Sequence, residues 1–528
     1  MEQHSDLIAG VVVAMGFVLR LWRAQATFFN TDEAWHFSLA NQTSLAAAYQ
    51  ASRTIVHPPL LIFVLYYWRH LGTSNLVLRL PSVIAGTLVC WVVYRWLSRV
   101  FGRRAGWLGL IFITFLPPWI ALSAELRQYT LMLLFAVSSA CLLEEALARN
   151  SIVRMVGSAL CLYLAMCSHY SAFLFAAAVG IYAILKMIRE RPRRAVIATW
   201  MAGQVAGVGL AALFYFTHIS RLGGVHAGAE PLHNFADWYL ADWYFHPGRD
   251  HLLRFLYRGT FGIFRFAFGQ TAVGQLAVLL FIAGVILIVL GRPASRRLPP
   301  RSASMLLLAP FALNWVAVSA GLYPYGRTRQ CVYLGVFAIA GVSAALSILS
   351  GERTAVAASL ALGMVIVCQA RGTLEGRDML PLADQRRQHM DEAVQFIDDR
   401  IARGDIIFTD QATSFQLRHY LCRQKPVTLL HMLPSGFETF GCQGFKVMIT
   451  PVGDGALTAD SVAARWRGDS AFDWPAGARV WIVQGGWATG LGETLRFMPG
   501  LAGLDVHSFG RYFEIFQLPQ RFAGSPQR

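Results

Sequence analysis

The chain has 528 residues, of which 55% are hydrophobic and only 14% charged, with a mean hydropathy of +0.45. Those values exclude an ordinary soluble protein, because apolar runs long enough to cross a bilayer recur from the N-terminus to about residue 370. A net charge of +16 would point to nucleic acid in a soluble chain. Here most arginines sit in short connections between apolar runs, where membrane topology accounts for them, and no nucleic-acid-binding motif accompanies them.

The first apolar run, residues 7–19, looks at first like a signal peptide. Glu2 and Asp6 precede it, however, and Arg20 and Arg23 follow it, the wrong polarity for cleavage, so it reads as an uncleaved first span. Next comes Phe28-Phe29-Asn30-Thr31-Asp32-Glu33-Ala34-Trp35-His36-Phe37, two adjacent carboxylates among aromatic residues at a membrane boundary. Ionisable groups at such depth cost about 2.5–3.5 kcal/mol each on insertion scales, which argues for a task or a partner. The His57-Pro58-Pro59-Leu60 element leads into about 12 apolar residues, too few to span, and reads as an interfacial helix.

Spans are then expected at residues 78–97, 105–122, 127–147, 152–168, 172–187, 195–216, 271–290, 302–320, 331–349 and 354–370. With the first run this gives about eleven transmembrane helices. An aromatic-rich outer loop is expected over residues 217–270. The Arg-rich connections at residues 95–104, 186–194 and 292–301 face the cytoplasm by the positive-inside rule, which puts the N-terminus inside and the C-terminal tail outside. Arg20 and Arg23 dissent: they fall near the outer end of the first span and either snorkel or face a site.

The tail is more charged and punctuated by Gly and Pro, so two domains are expected, a membrane body over residues 1–371 and a soluble domain over 372–528. Its pattern predicts helices at 391–400, 414–423 and 492–497. Strands are predicted at 405–409, 426–430, 446–450 and 480–484, with a closing pair over 506–517. Strands alternating with helices imply a small α/β layer with a parallel core. Gly404-Asp405 and Thr409-Asp410 fall at strand ends and read as turns or caps. Of the eight cysteines, Cys90, Cys141, Cys161, Cys167, Cys331 and Cys368 read as buried thiols. Cys422 and Cys442 are disulfide candidates if the tail faces an oxidising compartment.

This threading gathers Asp32-Glu33, Arg53, His57, Glu125-Leu126-Arg127-Gln128-Tyr129, His169-Tyr170 and Tyr323 to Arg329 on the outer face, each beside an apolar run. A carboxylate at such a boundary can serve as a general base. Arg is the preferred partner of phosphate, because its planar fork donates to two oxygens and keeps its charge. Together they suggest transfer of a group from a lipid phosphate. No Gly-rich phosphate cradle speaks for a soluble nucleotide donor.

The Asp32-Glu33 pair after the first span, His57-Pro58-Pro59-Leu60, Arg79-Leu80-Pro81-Ser82 and Ser123-Ala124-Glu125-Leu126-Arg127-Gln128-Tyr129 together resemble the GT-C membrane glycosyltransferases. In pattern they are similar to the protein O-mannosyltransferases, the lipid A aminoarabinose transferases and the polyprenyl-phosphate-sugar transferases of that clan. The likeness covers the membrane body, most strongly its first 200 residues or so. It implies Asp32 as the base that takes a proton from an acceptor hydroxyl, with Glu33 orienting the acceptor or supporting Asp32. Arg127 and Arg329 are the candidates to stabilise the leaving phosphate, while Tyr129 and His57 would line the donor pocket. His57 stands where some relatives carry Lys, so a fixed positive charge is not implied there.

Glu125, His169 and Tyr325 are further candidates to line the site. No cofactor is required on this reading, since Arg alone can serve a monophosphate leaving group. A divalent metal held by Asp32, Glu33 and His36 is the weaker alternative. The expected partners are a polyprenyl-phosphate-linked hexose or pentose, an acceptor that is a lipid, a polysaccharide or a protein, and membrane lipids. The expected place is a bacterial-type inner membrane, with the C-terminal domain periplasmic. A multi-span transporter or flippase and a noncatalytic envelope-assembly protein are the competing classes; the first is disfavoured because no internal repeat is evident.

Overall fold

The computed structural model describes residues 2–221, 240–291, 301–371, 384–402, 404–422, 431–432, 438–442, 445–449, 479–485, 491–497 and 503–518. The chain divides into two compact units. One comprises Met1–Ala24, Ser52–Leu61 and Arg79–Met379; the other comprises Gln25–Ala51, Ile62–Leu78 and Leu380–Arg528. The second unit is therefore wider than the C-terminal segment alone.

The helices follow in order. The N-terminal part contains α1 (Glu2–Ala26), α2 (Thr31–Ala40), α3 (Leu45–Ser52), α4 (Leu60–Trp68) and α5 (Asn75–Val100). Then come α6 (Arg103–Phe115), α7 (Pro117–Ser123), α8 (Tyr129–Arg149), α9 (Ile152–Ser168), α10 (Ser171–Glu190) and α11 (Arg194–Thr217). The remaining long helices are α12 (Leu252–Phe268), α13 (Thr271–Leu290), α14 (Ser302–Ser319), α15 (Val332–Leu349) and α16 (Thr354–Arg371). They are helices for the reason the apolar runs imply: in hydrocarbon a backbone must satisfy its own hydrogen bonds.

Among the described residues nine helices are long and apolar enough to cross a membrane, and the bent pair α6 and α7 would make ten. The 17-residue α9 corresponds to the remaining expected run. The nine-residue α4 is too short to span, as the interfacial reading requires. One expectation is corrected. Residues 217–270 are not all loop, because α12 occupies their end, with Gly259, Ile263, Phe264 and Ala267 buried on one face. Arg254, Arg258 and Arg265 interrupt its apolar run and hid it in the sequence.

The first unit gathers its connections at two ends. At one end, Asp6 pairs with Arg95 at 3.3 Å, Glu145 holds Arg99 and Arg154, Glu144 holds Lys186, and Arg104 reaches the carbonyl of Gly351. Of these, Asp6, Arg95, Arg99, Arg104 and Lys186 are charges that the threading assigned to a common side, and Glu144 and Glu145 on α8 are the acidic partners of Lys186 and Arg99. The bundle end opposite them carries the segment from Ser123 to Tyr129 and the turn at His169.

The expected span at 105–122 is broken. Leu116 leaves the helix and Pro117 restarts it, so α6 and α7 meet at a 62° bend. Proline removes an amide donor and its ring clashes with the preceding turn, so the break follows from Pro117-Pro118. The carbonyls left open at the end of α6 are met by Arg20, which is buried at 1% exposure. Its guanidinium donates to Ile113 O at 2.8 Å and Thr114 O at 3.2 Å, and its Nε donates to Ser123 Oγ at 3.1 Å. A cation at a helix C-terminus offsets both the orphan carbonyls and the dipole. Arg20, anomalous as a topology signal, is thus the brace of a broken helix. Gly86 on α5 lets Ser123 approach, since a Cβ there would collide with the Ser123 side chain.

In the second unit, α17 (Arg387–Arg400) precedes β1 (Ile406–Thr409) and α18 (Gln411–Leu421). Then follow β2 (His431–Met432), β3 (Glu438–Cys442), β4 (Phe445–Ile449), β5 (Val480–Gly485), α19 (Leu491–Arg496), β6 (Val506–Ser508) and β7 (Phe513–Gln517). The sheet order is β2-β3-β4-β1-β5-β7-β6. Its centre is parallel, with Ile407 opposite Val447 and Trp481, and its flanks are antiparallel. Strands β1 and β5 are buried throughout, which is why they read as unbroken apolar runs. Strand β3 was missed, because Glu438-Thr439-Phe440-Gly441-Cys442 shows little apolar alternation. The strand expected at 426–430 and the Arg-rich connection at 292–300 lie outside the described residues. Cys422 is disulfide-bonded, whereas the Cys442 side chain lies outside the described residues; the other six cysteines are free thiols.

Candidate active site

In the first unit the break at Leu116 delivers the Ser123–Tyr129 segment. Ser82 Oγ donates to Arg127 O at 3.2 Å, and Arg127 N donates to Glu125 O at 2.9 Å, which fixes the turn ahead of α8. Arg79, fully buried, donates to Ala24 O at 2.6 Å near the end of α1. The Arg79-Leu80-Pro81-Ser82 motif therefore has a mechanical task at both of its polar positions.

Glu125, Arg127 and Arg329 are at most 5% exposed. Arg329 Nη2 donates to Glu125 Oε1 at 3.5 Å, and its Nη1 lies 3.0 Å from Glu125 Oε2, an ion-pair contact. Arg23 also feels the Glu125 carboxylate and the Arg79 guanidinium. The Arg127 guanidinium lies 5.6 Å from the centre of the Tyr129 ring and 3.5 Å from its hydroxyl. Tyr129, His57 and His169 form a cluster of rings, with His57 5.3 Å and Tyr129 5.2 Å from His169.

His169 Nδ1 accepts the Ser171 amide at 3.2 Å, so its proton sits on Nε2. Burial first, and the Arg127 guanidinium second, hold this imidazole well below its ordinary value, at about 3. It is a neutral ring in a positive field. Tyr325 is placed by Thr260 Oγ1 at 2.6 Å and Trp315 Nε1 at 2.8 Å, which anchors the loop leading to Arg329. Arg327 stacks on Trp243 at 5.7 Å. Gln128 was not singled out from sequence. It is 1% exposed, and neither side-chain polar atom has a partner among the described residues.

In the second unit Asp32 and Glu33 open α2 and are both buried, Asp32 at 7% and Glu33 at 0% exposure. Asn30 and Glu33 form a capping box: Glu33 N donates to Asn30 Oδ1 at 3.0 Å, and Asn30 N donates to Glu33 Oε2 at 2.9 Å. Glu33 therefore fixes the helix start that bears Asp32. His36 Nδ1 donates to Asp32 O at 2.7 Å. Among the described residues no group of three or more His, Cys, Asp and Glu side chains is arranged to hold a metal ion.

Residues 56–217 match the family model described as dolichyl-phosphate-mannose-protein mannosyltransferase. The match spans His57, Glu125, Arg127, Tyr129 and His169. The structure is similar to that of ArnT from Cupriavidus metallidurans in the apo state, with a TM-score of 0.55, 12% sequence identity and coverage of 100% of both chains. It is also similar to the same protein bound to undecaprenyl phosphate, with a TM-score of 0.51, 12% identity and coverage of 98% of this chain and 99% of that one. No curated protein matches the sequence. This is the fold of the GT-C membrane glycosyltransferases: a multi-span helical body joined in one chain to a C-terminal α/β sheet.

Proposed function

We propose that the protein is a membrane glycosyltransferase that moves a sugar from a polyprenyl-phosphate carrier to an acceptor hydroxyl. The observation that carries this reading is the buried Arg127, set beside Tyr129 and a His169 that its charge helps to keep neutral. A buried positive field of this kind suits a phosphate leaving group, whose developing charge it stabilises without reorganisation. The similar ArnT structure contains undecaprenyl phosphate, which supports a lipid-phosphate donor for this fold.

In the proposed step Asp32 accepts the proton of the acceptor hydroxyl. The oxygen attacks the anomeric carbon, the bond from that carbon to the phosphate oxygen breaks, and polyprenyl phosphate leaves with the electron pair. Direct displacement inverts the anomeric centre. Arg127 and Arg329 stabilise the leaving phosphate; Tyr129 and His57 line the donor pocket, and no step passes through a metal ion. Glu33 holds the start of α2 through its capping box. The site and the C-terminal domain face the periplasm of an inner membrane, with the N-terminus inside.

The test is reconstitution of the full chain with labelled polyprenyl-phosphate pentoses and hexoses and a membrane extract as acceptor. Release of polyprenyl phosphate together with labelled product is expected from one of these donors. Failure of every lipid-phosphate sugar, with transfer from a nucleotide sugar instead, would overturn the reading.

A further inference from the structure

The helix that carries Asp32 is held by one face of α18. Phe415, Gln416, His419 and Tyr420 recur at one-turn spacing, so they form a single stripe. Phe29, just before the capping box, has both backbone polar groups engaged by that stripe. Its N–H donates to Tyr420 Oη at 2.6 Å, and its carbonyl accepts Gln416 Nε2 at 3.3 Å. The aromatic residues around Asp32 dock on the other two positions. Trp35 stacks on Phe415 at 5.7 Å; Phe29 stacks on His419 at 4.3 Å, and Phe37 meets the same ring edge-on at 5.7 Å.

Asn75 completes the clasp, donating to Tyr420 Oη at 3.0 Å and lying 2.7 Å from His419 Nε2. Arg69 closes the far end of α2 through the Gln42 carbonyl at 2.7 Å and Asn41 Oδ1 at 2.8 Å. Helix α18 is itself fixed at its start, where Asp410 Oδ1 accepts the Thr413 amide at 2.7 Å and Thr413 Oγ1 bonds the Gly485 backbone at the end of β5. A continuous set of bonds thus runs from the centre of the sheet to the residue next to the capping box.

We infer that α18 is the platform that orients Asp32, with Tyr420, Gln416 and His419 as positioning residues. This rests on the assignment of Asp32 as the base. The sheet domain is then part of the catalytic machinery rather than a cover or a separate acceptor-binding module. Displacement of a reacting group by about 1 Å can cost on the order of a hundredfold in rate. Loss of the two bonds to Tyr420 Oη should therefore appear in kcat.

The experiment compares the full chain in lipid nanodiscs as wild type, Tyr420→Phe, Gln416→Ala, His419→Phe and Asp32→Asn. The readouts are kcat, the donor KM, the thermal midpoint and amide exchange across residues 28–37. Tyr420→Phe is expected to lower kcat about tenfold and to leave the donor KM within about twofold. The midpoint should be unchanged, and exchange should quicken at Phe29 to Ala34 alone. His419→Phe, which keeps the stacked ring, should retain more activity than Gln416→Ala. Wild-type kcat in both Tyr420→Phe and Gln416→Ala, or a loss confined to the donor KM, overturns the platform. If those variants are unimpaired while Asp32→Asn is inactive, the platform alone fails; if Asp32→Asn turns over at the wild-type rate, the base assignment fails.

Discussion

Arg329 and Glu125, far apart in sequence, meet as a buried ion pair at 3.0 Å beside the turn that presents Arg127. Such a pair contributes little net stability when intact, but removing one member leaves an uncompensated charge that costs about 3–5 kcal/mol. Glu125→Leu alone should therefore sharply lower the thermal midpoint. The double variant Glu125→Leu/Arg329→Met should recover most of it yet remain unable to transfer sugar. A stable double variant with full activity would remove Arg329 from the chemistry.

Arg127→Lys keeps the charge and loses the planar fork. If the guanidinium meets the leaving phosphate, kcat should fall about a hundredfold or more, in the range seen when one preorganised donor to a developing charge is removed. Steady-state kinetics with saturating donor would read this directly. A change confined to KM would instead mark Arg127 as a uniform binding contact.

His169 leads to a pH prediction with a definite sign. Its native-state value, near 3, is below the ordinary 6.5, so the unfolded chain binds more protons between those limits. The stability it contributes is complete above about pH 6.5 and is lost as pH falls toward 3. Thermal midpoints from pH 7 to 4 should fall less steeply in His169→Gln than in the wild type. Since the ring is neutral across pH 5–8, the same substitution should leave the shape of the pH–rate profile in that window unchanged.

Asp410 should behave in the opposite sense. Burial raises its carboxyl from 3.8 to about 6, against the Thr413 bonds that pull it down. Its contribution is complete below about pH 3.8 and is lost as pH rises through 6, a swing on the order of 3 kcal/mol by linkage. Asp410→Asn keeps an acceptor for the Thr413 amide and has no charge to bury. The substitution should raise the thermal midpoint at pH 8 and have little effect at pH 4.5. A lowered midpoint at both values would show that the ionised cap is the stabilising form.

Much of this architecture was legible in the sequence because long apolar runs and buried parallel strands are local signals. Ile406-Ile407-Phe408 and Val480-Trp481-Ile482-Val483 announce the sheet centre without any knowledge of their neighbours. The break at Pro117-Pro118 was not read from the sequence, which suggested one span over 105–122, and the arginine brace from α1 depends on residues some ninety positions away. Helix α12 was obscured by arginines on its polar side. The hold of α18 on α2 had no local signature at all, since Phe29 and Tyr420 become neighbours only in the tertiary fold. The individual candidate residues were nameable from chemistry and motif order. What Glu33, Arg20 and Arg79 do mechanically needed coordinates.

The central claim, that Asp32 is the base of a lipid-phosphate-dependent sugar transfer, is tested most directly by single-turnover transfer with Asp32→Asn. Donor binding is measured on the same preparation. The expected result is a transfer rate reduced at least about a thousandfold, the upper range for loss of a general base, with donor affinity within a few-fold of the wild type. Transfer by Asp32→Asn at the wild-type rate would contradict it.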